Sequence, residues 1–85
     1  MKEIKYTIKD RLGIHARPAG LLVKEALKFK SDIIVEKDKK QGDAKKIFAL
    51  MSLGVKKDDT ITIKINGEDE DAAKKTLENF LNQNL

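Results

Sequence analysis

Apolar and polar side chains alternate in two segments, residues 3–8 and Thr60–Ile65. Because successive side chains of a β-strand point to opposite faces, each segment predicts a strand with one buried face. The β-branched run within Asp32–Glu36 predicts another strand, and a short polar strand is expected near Lys40–Asp43, after a hairpin turn. The apolar positions of the two alternating strands are Ile4, Tyr6, Ile8, Ile61, Ile63 and Ile65.

Three other segments space their apolar residues three and four apart, the repeat of an amphipathic helix. They predict helices over Ala16–Phe29, Ala44–Leu53 and Glu68–Asn82. Pro18 is tolerated in a first helical turn, where the missing N–H would have no partner, and Gly54 suits the position after a helix. The order βαββαβα predicts an α+β fold, with three helices on one face of a four-stranded antiparallel sheet and the other face in water.

Length and composition narrow the class of protein. A chain of 85 residues suits one domain spanning residues 1–85. It has no cysteine, which fits a reducing compartment. No apolar run reaches the length of a membrane span, and the first residues lack the apolar region of a signal peptide. A cytoplasmic protein without membrane insertion is therefore expected.

The charge pattern bears on the choice of partner. Lys and Arg outnumber Asp and Glu by 18 to 14, and the basic residues are spread along the chain. Such a mixture is typical of a solvated surface or of a face that meets an acidic protein. The chain has only four aromatic residues, not interleaved with basic ones, which argues against base stacking and nucleic-acid binding.

The only histidine of the chain, His15, lies in the run Gly-Ile-His-Ala-Arg-Pro-Ala-Gly from Gly13 to Gly20. This position predicts that His15 caps the first helix, where unpaired N–H groups and the helix dipole favour an anion. Arg17 opposes the dipole, and a residue placed against its local preference points to function. The alternative is an exposed turn histidine with no chemical role.

The sequence argues against a metal site, a cofactor site and enzymatic turnover. His15 has no second imidazole and no thiol with which to share a metal ion, so no metal site and no cofactor are expected. No Ser/His/Asp set and no glycine-rich phosphate loop is present, which argues against a hydrolase or another enzyme with turnover.

The chain resembles HPr, the histidine-containing phosphocarrier family of the phosphoenolpyruvate-dependent sugar phosphotransferase system. The resemblance covers the whole chain and is carried by three motifs: Gly13–Pro18, Met51–Val55 and Gly67–Glu70. It implies an open-faced β-sandwich with strand order 1-4-2-3, which agrees with the element order predicted from the periodicity.

The resemblance also implies the chemistry. His15 would accept a phosphoryl group on Nδ1 from phosphorylated enzyme I, whose own donor is phosphoenolpyruvate, and pass it to the IIA component of a sugar permease. The N–H groups of Ala16 and Arg17 and the Arg17 guanidinium would stabilise the added negative charge. The protein would act as a carrier rather than as an enzyme, and a monomer is expected.

The second predicted helix is expected to offer an apolar docking surface beside His15, with Leu50 kept for the core. Gly20 costs about 1 kcal/mol relative to alanine within a helix, and it either permits close approach of a partner or is neutral. A basic rim would meet acidic patches of the partners. The rim residues are Arg17, Lys24 and Lys28. The expected binding residues are Ala16, Gly20, Lys24, Ile47, Phe48 and Met51.

One position departs from many members of the family. Lys46 stands where these relatives carry a regulatory serine, at the start of the second helix. Switching by phosphorylation at that position is therefore not expected. The alternative function is an HPr-like regulatory binding module that signals carbon or nitrogen state through its phosphorylation, and the intact pair of His15 and Arg17 favours the carrier.

Overall fold

The computed structural model describes residues 1–85 and contains four strands and three helices in the predicted order. The strands are β1 (Lys2–Thr7), β2 (Asp32–Lys37), β3 (Lys40–Asp43) and β4 (Thr60–Asn66). The helices are α1 (Ala16–Ala26), α2 (Ile47–Met51) and α3 (Glu70–Asn84). None of these helices is long and apolar enough to cross a membrane.

The sheet has the strand order β1-β4-β2-β3, and every neighbouring pair is antiparallel, which confirms the predicted topology. The central strand β4 pairs Ile63 with Ile4 on one side and with Val35 on the other. All three side chains are buried, so the register aligns the apolar faces of the strands into one continuous surface.

The helices cover this apolar surface, and the buried hydrophobic residues form one cluster. Leu22 of α1, Leu50 of α2 and Leu77 of α3 are each 0% exposed. The opposite face of the sheet carries polar residues that are half-buried or exposed, including Lys5 and Lys64. The fold is therefore the open-faced α+β sandwich that the periodicity predicted.

Helix α1 ends at Ala26, three residues before the predicted end at Phe29. The N–H groups of Lys28 and Phe29 donate to the carbonyls of Glu25 and Ala26, three residues back, at 3.2 Å each. This tighter turn closes the helix. Leu27, the residue after the last helical position, is 62% exposed.

Helix α2 begins later than the predicted Ala44 because the sheet holds the preceding turn. The Ala44 N–H donates to the Ile33 carbonyl at 2.9 Å, which extends the contact between β3 and β2. Asp43 then accepts the Lys45 N–H on Oδ1 at 2.9 Å and the Lys46 N–H on its carbonyl at 3.0 Å. These contacts form a turn, and the extended backbone of Lys46, with φ −129° and ψ 115°, places the start of the helix at Ile47.

Helix α3 begins at Glu70 instead of Glu68, because Asp69 links it to the α1–β2 connection. The Asp69 carboxylate accepts the backbone N–H groups of Lys30 at 2.8 Å and Ser31 at 3.0 Å. It also accepts the Ser31 hydroxyl. These hydrogen bonds, that of the Ser31 hydroxyl first, lower the pKa of Asp69 below its ordinary value.

The loop between β1 and α1 lies with its backbone against the residues that follow α2. Gly13 has φ +67°, and a Cβ there would collide with the carbonyl of Val55 and lie 2.7 Å from Cα of Lys56. Only glycine meets both demands, since it has no Cβ and adopts positive φ without strain. Gly54 also has a positive φ of +65°, but a Cβ there would meet nothing within 4 Å.

These two glycines form a matched pair for a stability test. We expect Gly13→Ala to lower the free energy of unfolding by about 2–5 kcal/mol, since left-handed strain and backbone collision add. Gly54→Ala carries the strain alone and should cost about 1–2 kcal/mol. Urea unfolding of both variants measures the difference. Equal losses would contradict the close backbone approach at Gly13.

Candidate functional site

The backbone that leads to His15 is held by hydrogen bonds on both sides of Ile14. The Ile14 N–H donates to the Val55 carbonyl at 3.1 Å, and the Ile14 side chain is 5% exposed. The next amide, that of His15, donates to the Gly13 carbonyl at 3.2 Å. The chain therefore enters α1 from a fixed position.

His15 is the N-cap residue of α1, as the sequence predicted. Its backbone is extended, with φ −102° and ψ −173°, and its carbonyl accepts the Ala19 N–H at 3.0 Å, which begins the helix. Its side chain makes no capping hydrogen bond, and the residue is half-buried. The imidazole ring is thus placed at the helix end without being used to cap it.

The first turn of α1 leaves two backbone donors open. The N–H groups of Ala16 and Arg17 find no acceptor within the chain, and Pro18 has no N–H. Both Ala16 and Arg17 are exposed, and the Arg17 guanidinium forms no ion pair. Two free amides, the positive end of a helix dipole and a free guanidinium can together stabilise an anion attached to the neighbouring ring.

The side chains around His15 limit what else it could do. No group of three or more His, Cys, Asp or Glu residues is arranged to share a metal ion. No ion pair joins His15 to a carboxylate. An imidazole can itself act as a nucleophile and carry a transferred group, and this ring lies next to the open donors of the first turn of α1.

Helix α2 divides its apolar residues between the core and the surface. Leu50 is buried, whereas Phe48 is 82% exposed and Met51 is 38% exposed. Ile47 is half-buried against the core, and its Cδ1 would lie 3.7 Å from a Cβ at Gly20 of α1. That distance is an ordinary contact, so an alanine would also fit at Gly20, and helix packing does not require the glycine.

The predicted basic rim is only partly free of ion pairs. Lys24 of α1 is exposed and pairs with no carboxylate, like Arg17. Lys28 forms an ion pair with Glu25 at 2.8 Å. Arg17 and Lys24 are therefore the rim residues whose charge is available to a partner.

Lys46 is the N-cap residue of α2, exposed and with an extended backbone.

The hydroxyl groups of the two serines in the chain both donate hydrogen bonds within the protein. Ser31 is 1% exposed and donates its hydroxyl to Asp69, while Ser52 donates its hydroxyl to the Ala49 carbonyl at 3.1 Å.

Sequence reasoning missed the support beneath the site. The apolar pattern predicts neither a helix nor a strand for residues 55–59. In the structure Val55 and Lys56 lie against Gly13 and Ile14, and Asp58 and Asp59 form backbone hydrogen bonds with Ile8. The available signal was Val55, an apolar residue that ends the second motif without belonging to a predicted helix or strand.

Comparison with known proteins decides the family. Residues 2–83 match the model of the PTS-HPr family, described as the PTS HPr component phosphorylation site. The chain belongs to the HPr family. This membership agrees with the three motifs and with the strand order of the sheet.

Three relatives show how much of HPr the chain shares. It is 46% identical to phosphocarrier protein HPr of Mycoplasma genitalium over 85 residues, 99% of this chain and 97% of that protein. The crystal structure of HPr from Thermoanaerobacter tengcongensis superposes with a TM-score of 0.92 at 45% identity, covering 96% of this chain and 92% of that one. Crh of Bacillus subtilis, a catabolite repression protein whose structure is a domain-swapped dimer, matches with a TM-score of 0.78 at 39% identity over 100% of this chain and 98% of that one.

Proposed function

We propose that this HPr-family chain acts as one phosphocarrier domain, which accepts a phosphoryl group on His15 from phosphorylated enzyme I and passes it to the IIA component of sugar permeases. The family supports the carrier role. The observation that carries the assignment to His15 is its place at the N-cap of α1, with no capping hydrogen bond and with the amides of Ala16 and Arg17 open.

The transfer step needs a ring nitrogen that holds no proton. The lone pair of Nδ1 attacks phosphorus, the new N–P bond forms, and the bond between phosphorus and the donor breaks. The phosphoryl oxygens then receive hydrogen bonds from the Ala16 and Arg17 N–H groups and from the Arg17 guanidinium. The donor leaves with the electron pair of the broken bond, and transfer to an acceptor reverses these bond changes.

A carrier must release what it accepts. The donors proposed here are two backbone amides and one exposed arginine, all open to water. Hydrogen bonds that compete with water contribute modestly, so the phosphoryl group is stabilised without being trapped. Passage to an acceptor protein then depends on docking.

Docking is proposed for the surface that α1 and α2 share. Phe48 and Met51 supply an exposed apolar patch, Ile47 of the same helix packs against the core and lies beside Gly20 of α1, and Lys24 is exposed on α1. An exposed aromatic side chain is typical of an interface anchor. The same surface would serve both enzyme I and the acceptors, because each must reach His15.

The second candidate is a regulatory module, and the similarity to Crh favours it. We place it second because the His15 ring and Arg17 are unengaged, as a carrier requires. We also propose a monomer, in which β1 pairs with β4 of its own chain. Phosphoryl passage to a IIA protein separates the two functions, and light scattering of the purified protein reports the assembly state.

His15→Ala tests the assignment of the acceptor. This variant should accept no phosphoryl group from enzyme I and phosphoenolpyruvate, while its thermal unfolding stays close to that of the parent because the side chain is half-buried and caps nothing. Intact-mass analysis measures the adduct. A folded variant that still carries the label would remove His15 from the mechanism.

Arg17→Glu tests the stabilising guanidinium. We expect transfer to slow about 10–100-fold with both partners, because the variant loses one charge-assisted hydrogen bond and its carboxylate repels the phosphoryl group. Lys75→Glu on α3, an exposed residue with the same change of charge, is the control and should keep the parent rate. Rapid-quench transfer assays give both rates. An unchanged rate in Arg17→Glu would exclude the arginine from the site.

Phe48→Ser tests the docking surface. The free energy of unfolding should change by less than about 0.5 kcal/mol because the side chain is exposed. The KM of enzyme I for the variant should rise about tenfold, since aromatic anchors contribute more than about 1 kcal/mol to association. Leu50→Ala, a buried neighbour, should instead lose about 2–5 kcal/mol of stability. A KM unchanged in Phe48→Ser would place docking elsewhere.

A further inference from the structure

Lys37, at the end of β2, joins two points of the backbone segment that supports the His15 loop. Its Nζ donates to the Gly54 carbonyl at 2.9 Å and lies 2.9 Å from Oδ2 of Asp59. The same Asp59 oxygen accepts the Lys56 N–H at 2.8 Å. We call this set of contacts the Lys37 tie. It spans the segment 54–59 from its first residue to its last.

The segment 54–59 contacts the β1–α1 loop at both of its ends. At one end Val55 accepts the Ile14 N–H at 3.1 Å, one residue before His15. At the other end Ile8 donates to the Asp59 carbonyl at 2.9 Å and accepts the Asp58 N–H at 2.8 Å. The residues that lead into the site are therefore aligned by a segment with no helix or strand of its own.

Lys37 is unlike the other lysines of the β2–β3 hairpin. Its side chain is 19% exposed, whereas Lys39 and Lys40 are exposed and form no ion pair. A hydrogen bond from Lys37, followed by one from the Lys56 N–H, lowers the pKa of Asp59. Exposed ion pairs contribute little to stability, but here the ammonium also satisfies a backbone carbonyl.

We propose that Lys37 is a positioning residue for phosphoryl transfer, because its tie holds segment 54–59 in the place where Val55 orients the backbone of Ile14 and His15. Lys37 contacts neither His15 nor any donor that would hold the phosphoryl group, so it acts through the backbone. The inference rests on the proposed function for its kinetic consequence. Its structural consequence, a more frequent opening of the Ile14–Val55 hydrogen bond, can be measured without any partner.

Lys37→Met is the test, because methionine keeps the unbranched side chain and removes the ammonium. Lys39→Met removes the same charge from an exposed neighbour and is the matched control. Lys37→Arg is the conservative variant and should restore both contacts. The measurements are amide hydrogen exchange of Ile14, exchange of the β4 amides as a report of global unfolding, and the kcat and KM of enzyme I for each variant.

In Lys37→Met the protection of the Ile14 amide should fall about tenfold more than that of the β4 amides, since local opening adds to global opening. The kcat for phosphorylation should fall about tenfold while KM stays unchanged, because a slightly misplaced acceptor loses reactivity without losing the docking surface. Lys39→Met should behave as the parent, and Lys37→Arg should recover most of the loss.

Parallel loss of protection at Ile14 and in β4 would overturn the inference, since Lys37 would then contribute only to overall stability. A parent-like kcat in Lys37→Met would overturn it equally. A parent protein that accepts no phosphoryl group would instead reject the proposed function. The exchange comparison would still decide whether the Lys37 tie orders the loop.

Discussion

The close approach of two backbone segments, residues 13–14 and 55–56, fixes the position of His15, the proposed phosphoryl acceptor. Gly13 lies so near Val55 that no side chain fits between them, and the Ile14 amide uses the Val55 carbonyl as its acceptor. With those contacts made, His15 has little choice of backbone geometry and becomes the N-cap of α1. The position of the site is thus set by backbone packing more than by the chemistry of His15 itself.

A functional site at a helix N-terminus has an electrostatic consequence that suits the HPr family. The open amides of Ala16 and Arg17 and the helix dipole favour an added negative charge. Because these groups are exposed to water, the stabilisation that they provide is small. The apolar side chains of α2 differ in burial. Leu50 belongs to the core, whereas Phe48 faces solvent on the same short helix, close to the elements that present His15.

Much of this architecture was predictable from local patterns. Alternation located β1 and β4, the helical repeat located the three helices, and the run around Pro18 placed His15 at a helix start. The ends of the helices were less predictable because they depend on residues distant in sequence. The Ile33 carbonyl binds the Ala44 N–H ahead of α2, and the Ser31 hydroxyl binds the Asp69 carboxylate ahead of α3. The Lys37 tie lies beyond sequence reasoning for the same reason, since Lys37 and Asp59 are 22 positions apart and meet only once the sheet has formed.

Mass analysis of the phosphorylated protein shows directly whether His15 carries the phosphoryl group. The purified protein is incubated with enzyme I and phosphoenolpyruvate, and its intact mass is recorded at neutral pH and after mild acid. We expect a single phosphoryl adduct that acid removes, as is typical of a phosphohistidine, since His15 is the only histidine in the chain. An acid-stable adduct, or no adduct on folded protein with active enzyme I, would contradict this expectation.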